Sequence, residues 1–156
     1  MDFDERAPKG ITYQYPRAAN TSSVIAFTTG SGGVQILGIV RGDEPFKGML
    51  ALPGGFHNEN EETLEECAAR ELLEETGIEV QPSECKLVCV QSKPTRDPRA
   101  HIIDHVYSVS LPFTIMATAK AGDDASAIKI VDTRDHSLQW SFDHFDSIQR
   151  FLHLHR

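Results

Sequence analysis

What this 156-residue chain lacks narrows its class before any motif is considered. No apolar run approaches the ~20 residues of a membrane-spanning helix, so a bilayer partner is not expected. The acidic opening MDFDERAPKG has no basic, apolar, small-residue order of a secretory leader. Cysteine is scarce and odd in number. Cys67, Cys85 and Cys89 sit in apolar or helical patterns without metal-ligand spacing, which reads as free thiols in a reducing cytoplasm and not as a disulfide framework. A surplus of basic charge is also missing: 15 Lys and Arg stand against 23 Asp and Glu, for a net charge of −8, which argues against a broad nucleic-acid-binding surface. No repeat or low-complexity tract appears. A chain of this length forms one domain and hides roughly 68–70% of its unfolded surface.

Acid is abundant in one stretch, Gly54 to Ile78, GGFHNENEETLEECAARELLEETGI. It joins a glycine turn, an acidic loop and a helix carrying Glu71, Glu74 and Glu75. Positions i, i+3 and i+4 share a helical face, so these three carboxylates are expected to project together. Like charges so placed repel unless a cation neutralises them, which suits a hard divalent ion such as Mg2+ or Mn2+. Ala68, Ala69, Leu72 and Leu73 give the same helix an apolar stripe for the core.

Arg70 to Ile78, RELLEETGI, fits every fixed position in the second half of the Nudix hydrolase signature, G-x5-E-x7-R-E-U-x-E-E-x-G-U. Seven residues separate Glu62 from Arg70, as the pattern requires, but six separate it from Gly55 where the pattern has five. The extra residue falls within His57 to Glu61, a polar loop, and loops absorb insertions at small entropic cost. The chain therefore resembles the Nudix family over roughly residues 20 to 155. That resemblance implies an α+β fold of the α/β/α sandwich type, with a mixed β-sheet between helices. It also implies metal ligation by Glu71, Glu75, Glu74 and the Gly55 carbonyl, with Glu62 bracing the loop or touching a second metal. Arg70, Glu71, Glu74 and Glu75 form the catalytic set, with Arg70 orienting a carboxylate. Glu74, Asp123 and Asp124 compete for the role of general base. His57, His101 and His105 are further site candidates, each set against a plain hydrogen-bonding role.

The rest of the chain reads in order. Residues 1–20 are a polar arm, and 21–156 a single domain. Ser23–Thr28 and Val34–Arg41 form a hairpin around the Gly-Ser-Gly-Gly turn, Met49–Leu52 is a short strand, and Pro53-Gly54-Gly55 opens the loop before the helix. Gly77 suits the helix end. Lys86–Gln91, Ile102–Leu111 and a segment around Ile128–Val131 are strands. Ser141 to His144 starts a last helix whose apolar side holds Phe145, Ile148, Phe151 and Leu152. Between two strands lies Pro94-Thr95-Arg96-Asp97-Pro98-Arg99-Ala100-His101, whose arginine forks suit phosphate oxygens. This wording is similar to a loop of Nudix members that act on ADP-ribose, and the Ala121-Gly122-Asp123-Asp124-Ala125 turn resembles one in the same subgroup. Substrate contacts are thus expected from Arg41, Arg96, Asp97 and Arg99. The following strand carries Ile128 and Ile130 where relatives often place an aromatic, which leaves adenine stacking there unsupported.

The resemblance implies metal-dependent cleavage of a nucleoside diphosphate linked to another moiety, ADP-ribose to AMP and ribose 5-phosphate first among them, by a homodimer. Alternatives are another or an oxidised nucleotide, and ADP-ribose sensing without turnover. Sensing regulators carry a winged-helix domain after the Nudix domain and often a degraded box, whereas this chain ends about one helix later with every acidic box residue kept, so hydrolysis is the expectation.

Overall fold

The computed structural model describes residues 14–59, 61–122 and 124–155. The elements in chain order are β1 (Ala19–Gly30), β2 (Gly33–Arg41), β3 (Leu50–Ala51), β4 (Gly54–Phe56), α1 (Leu64–Thr76), β5 (Lys86–Gln91), β6 (Ile102–Ser110), α2 (Phe113–Met116), β7 (Ala125–Asp132) and α3 (His144–Leu154). The sheet runs β3-β2-β1-β6-β5, with β4 pairing β1 and β7 pairing β2. It is mixed, because β1 and β6 are parallel while the other pairs are antiparallel.

Side chains alternate between the two faces of a strand, so each central strand feeds two cores. Val24 and Ala26 of β1 pack with Ala68 and Leu72 of α1, whereas Ile25 packs with Ile148 and Phe151 of α3. Helices therefore cover both faces, and the sandwich expected from the resemblance is the observed fold. Among the described residues no helix is long and apolar enough to cross a membrane.

Several local expectations are refined. The first strand starts at Ala19, whose neighbour Asn20 pairs in parallel with Ile103, so the pattern change at Thr21 falls inside the strand. Residues 1–13 of the arm lie outside the described residues. Gly54–Phe56 is a strand and not an open loop, because Gly54 has no Cβ to strike the Ser22 carbonyl and can lie flat on β1. Two apolar stripes are narrower than read: Leu73 and Phe145 are each 45% exposed. Leu73 follows Leu72 by 100° round α1 and passes beyond the buried arc, which Cys67 and Thr76 complete.

Helix α1 is fixed at both ends. Thr63 accepts from the Glu66 N–H at 3.1 Å, and Glu66 accepts from the Thr63 N–H at 2.8 Å, a reciprocal capping box. Gly77, at φ 75°, closes the other end in the left-handed conformation. Replacing Thr63 with Ala is expected to cost about 1 kcal/mol in urea denaturation.

Candidate active site

The short turn from Ala51 through Pro53 carries the chain from β3, on β2, to β4, on β1, and lays the two glycines against α1. The Gly54 N–H donates to Glu75 Oε2 at 3.1 Å. A Cβ on Gly55 would collide with the Glu71 carboxylate, so any other residue there would push that carboxylate from its present position. The Gly55 carbonyl faces Cys67 Sγ at 3.7 Å. Burial pushes that thiol up to about 12, which keeps it a protonated donor.

Arg70 ties the acidic segment together. Its Nε and Nη2 donate to both oxygens of Glu62 at 2.8 and 2.7 Å, while Nη1 donates to Glu71 at 2.8 Å and to Glu74 at 3.2 Å. Nη2 also reaches the Phe56 carbonyl at 3.0 Å. The Arg70 hydrogen bonds hold Glu62 below the usual carboxylate range, and Glu62 in turn raises Arg70. Glu62 closes the lengthened loop, accepting from Asn58 N–H at 2.9 Å, and its carbonyl meets His57 Nε2 at 2.6 Å.

Only two of the three neighbouring carboxylates turn inward. Glu75 is 7% exposed and Glu71 is largely buried, but the Glu74 side chain is 52% exposed and held on the outside by Arg70. The reason is angular: Glu71 and Glu75 are i and i+4, and Glu74 lies 100° away from Glu75. Burial pushes Glu75 up to about 8; the Gly54 N–H opposes this, while the charges of Glu71 and Asp124 add to it. Glu71 is raised as well, by burial first, against the charge of Arg70. Two hard carboxylates that are reluctant to carry unneutralised charge fit a divalent cation, with the Gly54–Gly55 backbone close by. Among the described residues no three His, Cys, Asp or Glu side chains already form a metal cage.

Glu75 and the glycines form one wall of a cleft of about 260 Å³ that also takes in Arg41, Arg96, Asp97, Arg99 and Asp124. The four residues expected to touch substrate thus meet the carboxylate wall, but they differ in availability. Arg96 is 3% exposed and its fork is filled by Asp143, at 2.8 and 2.6 Å. Asp143 stands at the start of α3 and makes no side-chain cap, because Arg96 occupies its carboxylate. Arg99, 41% exposed, is held by Asp97 at 3.1 and 2.8 Å and lies 5.2 Å from the Phe56 ring. Burial opposes the Asp97 charge, but the Arg99 hydrogen bonds outweigh it and hold Asp97 below the usual range. Arg41 donates to the Pro45 carbonyl at 2.7 Å and lies 5.0 Å over Phe142. Burial, then the nearby Arg99 charge, lowers it. Two guanidinium groups are therefore held close together at the rim, an arrangement that favours an anion.

Asp124 lines the cleft, whereas Asp123 lies outside the described residues. His57, His101 and His105 each meet a backbone carbonyl, of Glu62, Ser92 and Thr21, and none lines the cleft. Asp104, Phe142 and His144, absent from the expected set, form its floor and side. Asp104 left a signal: it occupies an inward position between Ile102 and Val106 on β6, where a charge is out of place. Phe142 and His144 arrive by tertiary packing and left none.

The mixed sheet between helices, with the glycine strand docked on an acidic helix, defines a Nudix domain. A family model described as the NUDIX domain matches residues 19–151, and the chain belongs to the Nudix hydrolase family. The chain is 42% identical over 118 residues to an ADP-ribose pyrophosphatase of Methanocaldococcus jannaschii, covering 76% of this chain and 66% of that protein. It is 32% identical over 137 residues to an ADPR-responsive transcriptional repressor of Acinetobacter baylyi, covering 87% of this chain and 54% of the repressor. The chain thus spans less than two thirds of either relative. Among solved structures, a bifunctional NMN adenylyltransferase/ADP ribose pyrophosphatase of Francisella tularensis, complexed with AMP and a Mn ion, superposes with a TM-score of 0.74 at 25% identity, covering 91% of this chain and 43% of that one.

Proposed function

We propose that this domain hydrolyses the diphosphate of ADP-ribose to AMP and ribose 5-phosphate with Mg2+ or Mn2+. The observation that carries the reading is the opposition, across one cleft, of buried Glu75, with Glu71 behind Gly55 beside it, and the Arg41–Arg99 rim. Similarity to the archaeal ADP-ribose pyrophosphatase supports the substrate. Glu71 and Glu75, with the Gly55 carbonyl, would hold the metal. When bound, it neutralises diphosphate charge and lowers the pKa of a bound water.

The chain's own residues do the rest. Arg70 fixes the Glu71 rotamer through a charge-assisted hydrogen bond and fastens Glu62, so the carboxylate wall is set before substrate arrives. Arg41 and Arg99 draw the anionic diphosphate to the rim and fix its orientation, with Asp97 aiming Arg99. Arg96 shapes the floor through Asp143 and acts as a positioning residue. Asp124 reaches the cleft and Glu74 stands outside it, which favours Asp124 between the two as the base that takes a proton from the attacking water.

The test is AMP release from ADP-ribose with Mg2+ or Mn2+, beside ADP-glucose, NADH, diadenosine polyphosphates and 8-oxo-dGTP. Preferred turnover of ADP-ribose, abolished by chelator, is the expected result. Turnover of another member would discard the substrate and keep the chemistry. The match to the ADPR-responsive repressor favours a second reading, ligand sensing, which tight ADP-ribose binding without turnover would establish.

A pH dependence follows from Glu75. Its folded value of about 8 lies above the ordinary 4.5, so the folded state binds the proton more tightly than the unfolded one. Its stabilising contribution is full below 4.5 and is lost as pH rises through 8. In chelator, Tm should therefore fall across that window, and Mn2+ should raise Tm more at pH 8.5 than at pH 5.5. Equal metal-induced shifts in differential scanning fluorimetry would contradict the Glu75 ligand.

A further inference from the structure

Below the rim, the cleft ends on a carboxylate with a spare oxygen. Asp104 is 1% exposed, and its Oδ1 accepts from Thr21 Oγ1 at 2.8 Å and from Ser23 Oγ at 2.9 Å. Its Oδ2 is buried and has no hydrogen-bond partner among the described residues. Arg96 Nη2 and His144 Nε2 each stand 3.8 Å from it, near enough to balance charge and too far to satisfy it. Leaving a buried acceptor unmade costs about 1–3 kcal/mol.

His144 complements it. The Leu52 N–H donates to His144 Nδ1 at 3.0 Å, which places the proton of the neutral ring on Nε2, the atom nearest Asp104. Burial lowers His144, against the charge of Asp104, and keeps that ring neutral. An acceptor and a donor thus stand side by side at the bottom of the cleft. Their charge environment selects what enters: the Asp104 carboxylate repels a phosphate, and Arg96 repels an ammonium group.

We propose that this floor is a recognition subsite in which Asp104 Oδ2 accepts, and His144 Nε2–H donates, a hydrogen bond to a neutral part of the ligand. The inference rests on the nucleotide-hydrolase reading and deepens it by making Asp104 a specificity-determining residue. Two parts of such a ligand carry a donor beside an acceptor: the vicinal hydroxyls of a ribose and the amino edge of adenine. With the diphosphate at Arg41 and Arg99, one of these neutral ends is directed downward.

The experiment compares wild type and Asp104→Asn on ADP-ribose, on its deaminated inosine analogue and on analogues lacking one ribose hydroxyl. The substitution sets an amide N–H where Oδ2 was. The expected result is a KM at least 10-fold higher for Asp104→Asn with kcat within a few-fold. One analogue class should show a comparable loss on wild type and little further loss on the variant. Loss on the inosine analogue assigns the base, and loss on a deoxy analogue assigns the sugar. Unchanged KM in the variant, or losses that simply multiply, would overturn the subsite, since a merely structural Asp104 would not couple to one ligand group. Should Asp104→Asn not fold, the wild-type analogue series decides alone, and equal KM across it overturns the proposal. Wild-type turnover of ADP-ribose is the separate check on the function itself. If another nucleotide is the substrate, the same comparison runs on its deaminated and deoxy forms.

Discussion

Glu75→Gln should lower turnover on the order of 10³-fold, about 4 kcal/mol of transition-state stabilisation, while making the metal-free protein more stable at pH 8.5. The two halves of this expectation share one cause. Glu75 is pushed up to about 8 because it is buried, faces Glu71 and Asp124, and has a single backbone donor from Gly54. The amide keeps an oxygen for the Gly54 N–H and carries no charge to desolvate, so chelator-treated variant should melt several degrees above wild type at pH 8.5 and close to it at pH 5. What the amide gives up is the anionic oxygen that would hold the metal. Steady-state AMP release and calorimetry on one preparation check both halves. A variant with near-normal turnover would remove Glu75 from the metal site, and one that melts below wild type at pH 8.5 would show that its charge is compensated within the fold.

Gly122→Ala is expected to cost about 3 kcal/mol, far more than a loop substitution normally does. The segment after α2 lies against the open end of α1, where the last helical carbonyls lack partners. The Lys120 N–H donates to the Thr76 carbonyl at 2.9 Å, and the Gly122 N–H to the Glu75 carbonyl at 2.9 Å. A Cβ on Gly122 would collide with the Glu74 carbonyl oxygen, a backbone atom that cannot swing aside, so the loop must retreat and both bonds stretch. Because the displaced turn carries Asp124 and grips the carbonyl of Glu75, turnover should fall together with stability. Urea denaturation of Gly122→Ala beside Gly30→Ala, where open space surrounds the added methyl, separates collision from a general glycine effect.

How far the sequence reached depended on whether a signal was local. The acidic helix, its Gly77 stop and its partner Arg70 depend on spacings of a few residues, and the structure has them where the spacing placed them. The strands were legible as β-rich runs between turn signals, and the runs at Val34–Arg41 and Ile102–Leu111 fall on β2 and β6. Arg96 reads as a free phosphate ligand because its neighbours in sequence include no acid positioned to fill its fork. Asp143, 47 residues away, fills it. Phe142 and His144 could not be found for the same reason, since they reach the cleft only when α3 packs across the sheet. Leu73 and Phe145 show the complementary limit: apolar type alone does not fix the width of a buried arc.

The Glu62–Arg70 fork also separates loop length from site geometry. Glu62 is clamped to α1 by two short hydrogen bonds, and through Asn58 and His57 it closes the loop upon itself. Residues added between Asn58 and Glu61 leave this fork tied, and doubling such a loop costs only about 0.6 kcal/mol in closure entropy. That makes this short span a natural insertion port, a place where evolution can vary length or an engineer can graft a reporter peptide while the carboxylates behind the knot keep their positions.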